Sequence, residues 1–322
     1  MTFANIVGHD RQKDLLRRAL ESRRLPHAYL FEGPEGVGKR LMALALTRAI
    51  FCHEKRGCGD CAACRKVDHH NHPDLHFIEA DGGQIKIEQV RVLQKELSYR
   101  PLEAEKKVCI VDDADKFNPA AGNALLKTLE EPRDNTLIIL LSSRPDMLLS
   151  TIRSRCQRLP FSRIERRRLL EVLCEQLELD ETEAHILASL AGGSFRKALG
   201  KDREFFFRTR RELLKTLTGL TSGSVLPLLE FAEKLAQDKE TLPDIIEIFQ
   251  SFYRDLLLYR HGRPQDELVN IDLLNKIHRV SGAESTSSIL GKLAALDTAG
   301  RQLNRNVNRQ LAVEVLLMRL VA

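Results

Sequence analysis

Gly33-Pro34-Glu35-Gly36-Val37-Gly38-Lys39 fits the pattern G-x-x-x-x-G-K. In such a loop backbone N–H groups converge on phosphate oxygens, the helix after it adds its dipole, and the lysine neutralises terminal phosphates. The next residue is Arg40, where phosphoryl transfer assisted by Mg2+ needs a Ser or Thr hydroxyl on the metal. A guanidinium offers only donors, so a divalent cation would lose an inner ligand here. Two readings stay open: an anion or ATP/ADP site that does not turn over, or a relic loop kept for its turn. Crippled hydrolysis is the expectation, because one missing inner ligand removes several kcal/mol of transition-state stabilisation.

A second set is Asp112-Asp113-Ala114-Asp115, at the end of a hydrophobic run. Asp112 is placed to face a Mg2+, as in a Walker B strand. Asp113 stands where a Glu usually polarises water, one methylene too short, and misplacement by about 1 Å costs on the order of 10²-fold in rate. The alternative is that these acids only terminate the strand and cap the next segment.

Cys58-x-x-Cys61-x-x-Cys64, with Cys52 upstream, forms a third set. Closely spaced thiolates in a reducing compartment suit a tetrahedral structural Zn2+ better than disulfides. Four protein ligands close such a site, so its expected role is folding support rather than catalysis. His53 is an alternative ligand; Cys109, Cys156 and Cys174 read as ordinary buried thiols.

The elements that carry these sets are legible from periodicity. A helix is expected within 9–25, with Leu15, Leu16, Ala19 and Leu20 on its apolar face, then a strand at 27–31, the glycine loop, and a helix at 39–50. Strands at 75–79, 108–111 and 137–141 alternate with helices at 87–97 and 120–129, which argues for a parallel sheet covered on both faces. Beyond Phe161 the strand signal stops and amphipathic helices take over. Leu226, Leu229, Phe231 and Leu235 mark one apolar stretch, and Leu311, Val313, Val315 and Leu316 another. The expected division is an α/β P-loop domain over 1–160, a small helical lid over 161–203 and an all-helical domain over 204–322.

At 322 residues the chain is too long for one core. Its 43% hydrophobic and 30% charged composition excludes a disordered or fibrous class. A net charge of +5 from 50 basic and 45 acidic residues is too slight to indicate nucleic-acid binding without a local patch. The N-terminus lacks a basic-then-apolar pattern and no apolar run reaches the ~20 residues of a membrane helix, so a cytoplasmic protein is expected.

Two longer matches make the chain resemble a known family. Asn118 to Pro132, ending Leu125-Leu126-Lys127-Thr128-Leu129-Glu130-Glu131-Pro132, and Ser154-Arg155-Cys156 are similar to signatures of the clamp-loader branch of the AAA+ ATPases. The resemblance implies that Arg155, with Ser154 beside it, reaches the ATP bound by a neighbouring subunit. It also implies that Ser142 or Ser143 is the sensor-1 residue and Arg196 the sensor-2 residue. Gamma/tau motors of this family carry G-K-T and D-E where this chain has Gly38-Lys39-Arg40 and Asp112-Asp113. His72-Pro73-Asp74 and Ser143-Arg144-Pro145 likewise resemble a non-motor subunit.

The resemblance further implies a scaffold in a hetero-pentamer with gamma/tau and delta subunits. The C-terminal helices form a collar, and the assembly loads a ring-shaped sliding clamp onto primed DNA within a DNA-directed DNA polymerase holoenzyme. This chain itself would hydrolyse little or no ATP. One alternative is an active clamp-loader ATPase of the gamma/tau type. Another is a zinc-bearing DNA-binding module with a vestigial ATPase fold, against which the modest charge counts.

Overall fold

A computed structural model describes residues 2–177, 179–190, 203–221, 223, 225–238, 241–303 and 307–321. They fall into two compact units, one up to Val172 and the other from Leu173 onward.

The first unit is built on five parallel strands: β1 Ala28–Glu32, β2 Leu75–Ile78, β3 Lys107–Val111, β4 Thr136–Ser142 and β5 Gln157–Pro160. Their order across the sheet is β2-β3-β4-β1-β5, with Phe31 level with Leu141 and Val111 level with Leu140. Side chains alternate between faces with period two. Tyr29, Phe31, Ile110 and Ile139 therefore pack with Leu16 of α1 (Asp10–Glu21) and with Met42 and Leu46 of α2 (Lys39–Phe51). Ala28, Leu30, Cys109, Val111 and Leu140 face the other way. There they meet Val90 and Leu93 of α4 (Ile87–Ser98) and Leu125 of α5 (Pro119–Glu130). Burial on both faces is why β3 and β4 read as continuous apolar runs. Two short helices complete this part, α3 (Ala62–Asp68) and α6 (Ser150–Arg155).

Helix ends obey their local chemistry. Asn118 caps α5 by accepting the Ala121 N–H at 2.7 Å, with Pro119 at the first helical position, where a missing N–H costs nothing. Buried Asp74, just before β2, accepts the N–H groups of Leu102, Glu103 and Ala104 at 2.7, 2.8 and 2.8 Å. It thereby fixes the turn that leads into β3.

Helix α7 (Arg166–Leu177) comes after the sheet, and from Leu173 the described elements are helical: α8 Glu181–Leu190, α9 Arg203–Leu217, α10 Val225–Ala236, α11 Leu242–Arg260, α12 Leu274–Ala283, α13 Thr286–Leu303 and α14 Arg309–Val321. Phe249, Phe252 and Leu256 of α11 form the centre of their core, with Leu296 and Leu317. Arg210 is fully buried there and meets Asp272 and Asn270 at 2.7 Å each.

The α/β P-loop architecture and the helical C-terminal part are as expected, with corrections in detail. Leu15, expected on the apolar face of its helix, is exposed, and so are Leu226, Leu311 and Val315 of the two apolar stretches. Cys174 is only partly buried, whereas Cys109 and Cys156 are buried. Strand β5 has no counterpart in the sequence reading: it pairs only with β1 and buries only Leu159, leaving an edge strand no hydrophobic signal. No helix among the described residues is long and apolar enough to cross a membrane.

Candidate functional site

Gly33 to Lys39 connects β1 to α2 at the carboxyl ends of the strands, where ligands of open α/β sheets bind. Gly33 donates to the Ser142 carbonyl at 3.1 Å and has φ +150°; a Cβ there would lie 2.0 Å from the Phe161 carbonyl oxygen, so only glycine fits. His9 supports the loop from behind. Burial pulls its imidazole below the usual range, so the ring is neutral, and Nε2–H donates to the Val37 carbonyl at 2.8 Å. Gly36 and Gly38 have φ of +76° and +102°. The N–H groups of Gly36, Val37 and Gly38 donate to no carbonyl among the described residues, the arrangement of an anion nest. Lys39 is 9% exposed and donates to the Gly33 and Pro34 carbonyls at 2.6 and 2.7 Å. Burial pulls its ammonium down, against the opposing charges of Asp112, Asp113, Asp115 and Glu35.

Arg40 turns away from the loop towards the strand ends. Its Nη1 lies 2.6 Å from Glu79 Oε1 and 3.1 Å from Asp112 Oδ2, and its guanidinium carbon lies 5.5 Å from the Phe77 ring centre. The other Asp112 oxygen accepts the Asp113 N–H at 3.1 Å. Burial raises the Asp112 carboxyl above its ordinary value, and the Arg40 charge offsets only part of that. Mg2+ demands octahedral oxygen ligands at about 2.0–2.1 Å. The residues around Asp112 do not fit it: one carboxylate oxygen is held by a guanidinium, the other by an N–H, and the hydroxyl ligand is an arginine.

The remaining acids divide. Asp113 adopts a left-handed φ of +50° and pairs with Lys116 at 2.8 Å. Asp115 is buried and accepts Ser142 Oγ at 2.8 Å and the Ser143 N–H at 3.0 Å, with Arg144 Nε at 3.3 Å. Burial raises the Asp115 carboxyl, but these donors outweigh it and hold it below the usual carboxylate range. Ser142, fully buried, is thus the serine tied to the acidic strand end, and Ser143 contributes its backbone.

Arg155 ends α6 with its side chain 35% exposed, Nη2 at 2.7 Å from Glu130 and Nη1 donating to the Thr151 carbonyl at 2.9 Å. Ser154 Oγ donates to that same carbonyl at 3.1 Å. Arg196 lies outside the described residues.

Cys52, Cys58, Cys61 and Cys64 bring their sulfurs within 4.8 Å of one another and could hold a metal ion. Sulfurs about 2.3 Å from a common tetrahedral metal lie about 3.8 Å apart. The Cys52–Cys58 and Cys52–Cys61 separations are 3.6 and 4.0 Å. The Cys58 N–H points at Cys52 Sγ and the Cys64 N–H at Cys61 Sγ, both at 3.4 Å, as donors supporting thiolates. Burial raises the Cys52 thiol, but the Cys58 and Glu54 N–H groups outweigh it and bring it down to about 6. His53 is not part of the group.

Residues 8–165 match the family described as DNA polymerase III, delta subunit, and residues 205–321 its C-terminal counterpart. The DNA polymerase III subunit delta' of Bacillus subtilis is 33% identical over 316 residues, covering 95% of this chain and 94% of that protein. The chain belongs to the DNA polymerase III delta-prime family. The B. subtilis tau subunit is 31% identical over 285 residues, 80% of this chain, but the chain spans only 50% of its length. A solved gamma-subunit-related protein from Thermotoga maritima superposes with TM-score 0.48 at 20% identity, covering 96% of this chain and 98% of that one. The family assignment rests on the sequence matches alone.

Four contacts at the site escape sequence reasoning. Glu79 holds Arg40, Glu130 holds Arg155, His9 holds the loop, and Asp115 rather than Asp113 links β3 to β4. Each works through a contact distant in sequence. The acids had a weak signal, standing at strand or helix ends beside recognisable motifs; His9 had none.

Proposed function

We propose that this chain is a clamp-loader subunit that assists ATP hydrolysis in an adjacent gamma/tau subunit and hydrolyses little or none itself. Arg155 is the side chain offered to the neighbour. A guanidinium at another subunit's terminal phosphate stabilises charge that develops during transfer. It stands at the end of a short helix, over a third exposed, with Ser154 alongside and the Glu130 carboxylate and Thr151 carbonyl to leave. The observation that carries the division of labour is the Arg40 contact to Asp112 at 3.1 Å. The position a catalytic divalent cation needs is taken by a cation of the chain itself.

Around that role the remaining readings assemble. Zn2+ bound by Cys52, Cys58, Cys61 and Cys64 supports the fold without an open coordination position, and its thiolates suit a reducing, cytoplasmic setting. The loop, with Gly33, Gly36, Gly38, Lys39 and Arg40, forms an anion site for ATP or ADP bordered by Asp112, Asp113, Ser142 and Ser143, with Arg196 as its sensor-2 residue. Residues 1–160, 161–203 and 204–322 serve as P-loop domain, lid and collar. The partners are gamma/tau and delta subunits, and through them the sliding clamp and primed DNA.

The test is reconstitution with gamma/tau and delta subunits. Arg155→Ala is expected to assemble normally and to lower DNA-stimulated ATPase by about 10-fold or more, in the range of arginine-finger losses. Unchanged ATPase in the Arg155→Ala assembly, or brisk hydrolysis by the isolated wild-type chain, would overturn the reading.

A further inference from the structure

We infer that the glycine loop takes a nucleoside polyphosphate without a divalent cation, with Arg40 as the resident counter-charge. The inference rests on the loop being an anion site and goes beyond it by assigning the cation. Three observations point the same way. The N–H groups of Gly36, Val37 and Gly38 donate to no backbone carbonyl among the described residues, and a Cβ built on Gly38 would meet no atom within 4 Å. Lys39 is parked on two carbonyls of the loop itself, contacts that a phosphate can replace. The guanidinium of Arg40, the residue that follows the loop, is held on the Glu79 and Asp112 carboxylates and is 43% exposed.

In a metal-dependent site the divalent ion separates the phosphate oxygens from the strand-end carboxylate. Without it the two anions repel. Here the Arg40 guanidinium, bonded to Asp112, supplies the positive charge, and its planar fork can bond a carboxylate on one edge and a phosphate oxygen on the other. Mg2+ would have to displace Arg40 from Asp112 and would find no hydroxyl beyond it. Binding should therefore be indifferent to Mg2+, and removing Arg40 should both weaken it and make it respond to the metal.

The experiment titrates the full chain, with its metal retained, with ADP by calorimetry. It compares buffer freed of divalent cations by passage over a chelating resin, with and without added Mg2+, for wild type, Arg40→Lys and Arg40→Thr. Wild type is expected to bind ADP equally, within about 3-fold, in both conditions, well inside the ~10-fold that one charge-assisted contact is worth. Arg40→Thr should lose about 10-fold or more without Mg2+ and regain affinity with it. Arg40→Lys, which keeps the charge, should stay indifferent to the metal. Thermal unfolding of the two variants separates a lost contact from a lost fold. A wild-type chain that needs Mg2+ to bind ADP, or that binds ADP in neither condition, overturns the inference. Neither result touches the role of Arg155, which the reconstituted ATPase decides.

Discussion

Replacing Asp74 should destabilise the α/β unit more than any single surface change, and by an amount the geometry sets. Its buried carboxylate accepts three backbone N–H groups, at 2.7, 2.8 and 2.8 Å, from the turn at 102–104. Asp74→Ala leaves three donors without an acceptor. At about 1.5–3 kcal/mol for each bond to a charged group, less what the turn recovers by reaching water, the expected loss is about 4 kcal/mol. Asp74→Asn keeps one oxygen but sets an NH2 against an N–H, so roughly half that loss is expected. Burial raises the Asp74 carboxyl, yet the three N–H groups outweigh it and hold it below its ordinary value of 3.8. A carboxyl depressed on folding contributes stability that is complete above the unfolded value and fades as pH falls through the folded one. The gap between wild type and Asp74→Ala should therefore narrow below about pH 4. Urea unfolding across that pH range, with hydrogen exchange tracked at 102–104, measures both effects. A cost below about 1 kcal/mol at pH 7, or one that widens in acid, would refute the reasoning.

Gly33→Ala should cost about 3 kcal/mol or more in thermal unfolding, since its Cβ meets the Phe161 carbonyl at 2.0 Å. Gly38→Ala, with open space but φ +102°, should cost only about 1–2 kcal/mol; equal costs would contradict the packing argument. Elemental analysis of the reduced chain should find one zinc, lost in Cys58→Ser together with a lowered unfolding temperature. A fully reduced wild-type chain without metal would remove the tetrathiolate centre from the account.

The parts legible in the sequence are those whose physics is local. The glycine loop, the cysteine spacing and the doubly buried strands each declare themselves within a dozen residues. The illegible parts depend on residues far apart. Arg40 could be read as a missing metal ligand. Nothing local says that it reaches Glu79, 39 positions on, or Asp112, 72 positions on. Periodicity marked an apolar face on α1 but could not say that Leu16 is buried while Leu15 lies at its exposed rim, because the neighbour that covers a stripe decides its width. Strand β5 was invisible for a different reason. An edge strand is held by backbone bonds to one neighbour, and Gln157-Arg158-Leu159-Pro160 has no side-chain pattern to report them.

The loop's shape is partly borrowed from well upstream, since the His9 ring holds the Val37 carbonyl across 28 positions of chain. Anyone trimming this polypeptide for expression, or altering the segment around His9, is therefore working beside the glycine loop. Fragments that begin after residue 9 should be judged as altered proteins rather than shortened ones.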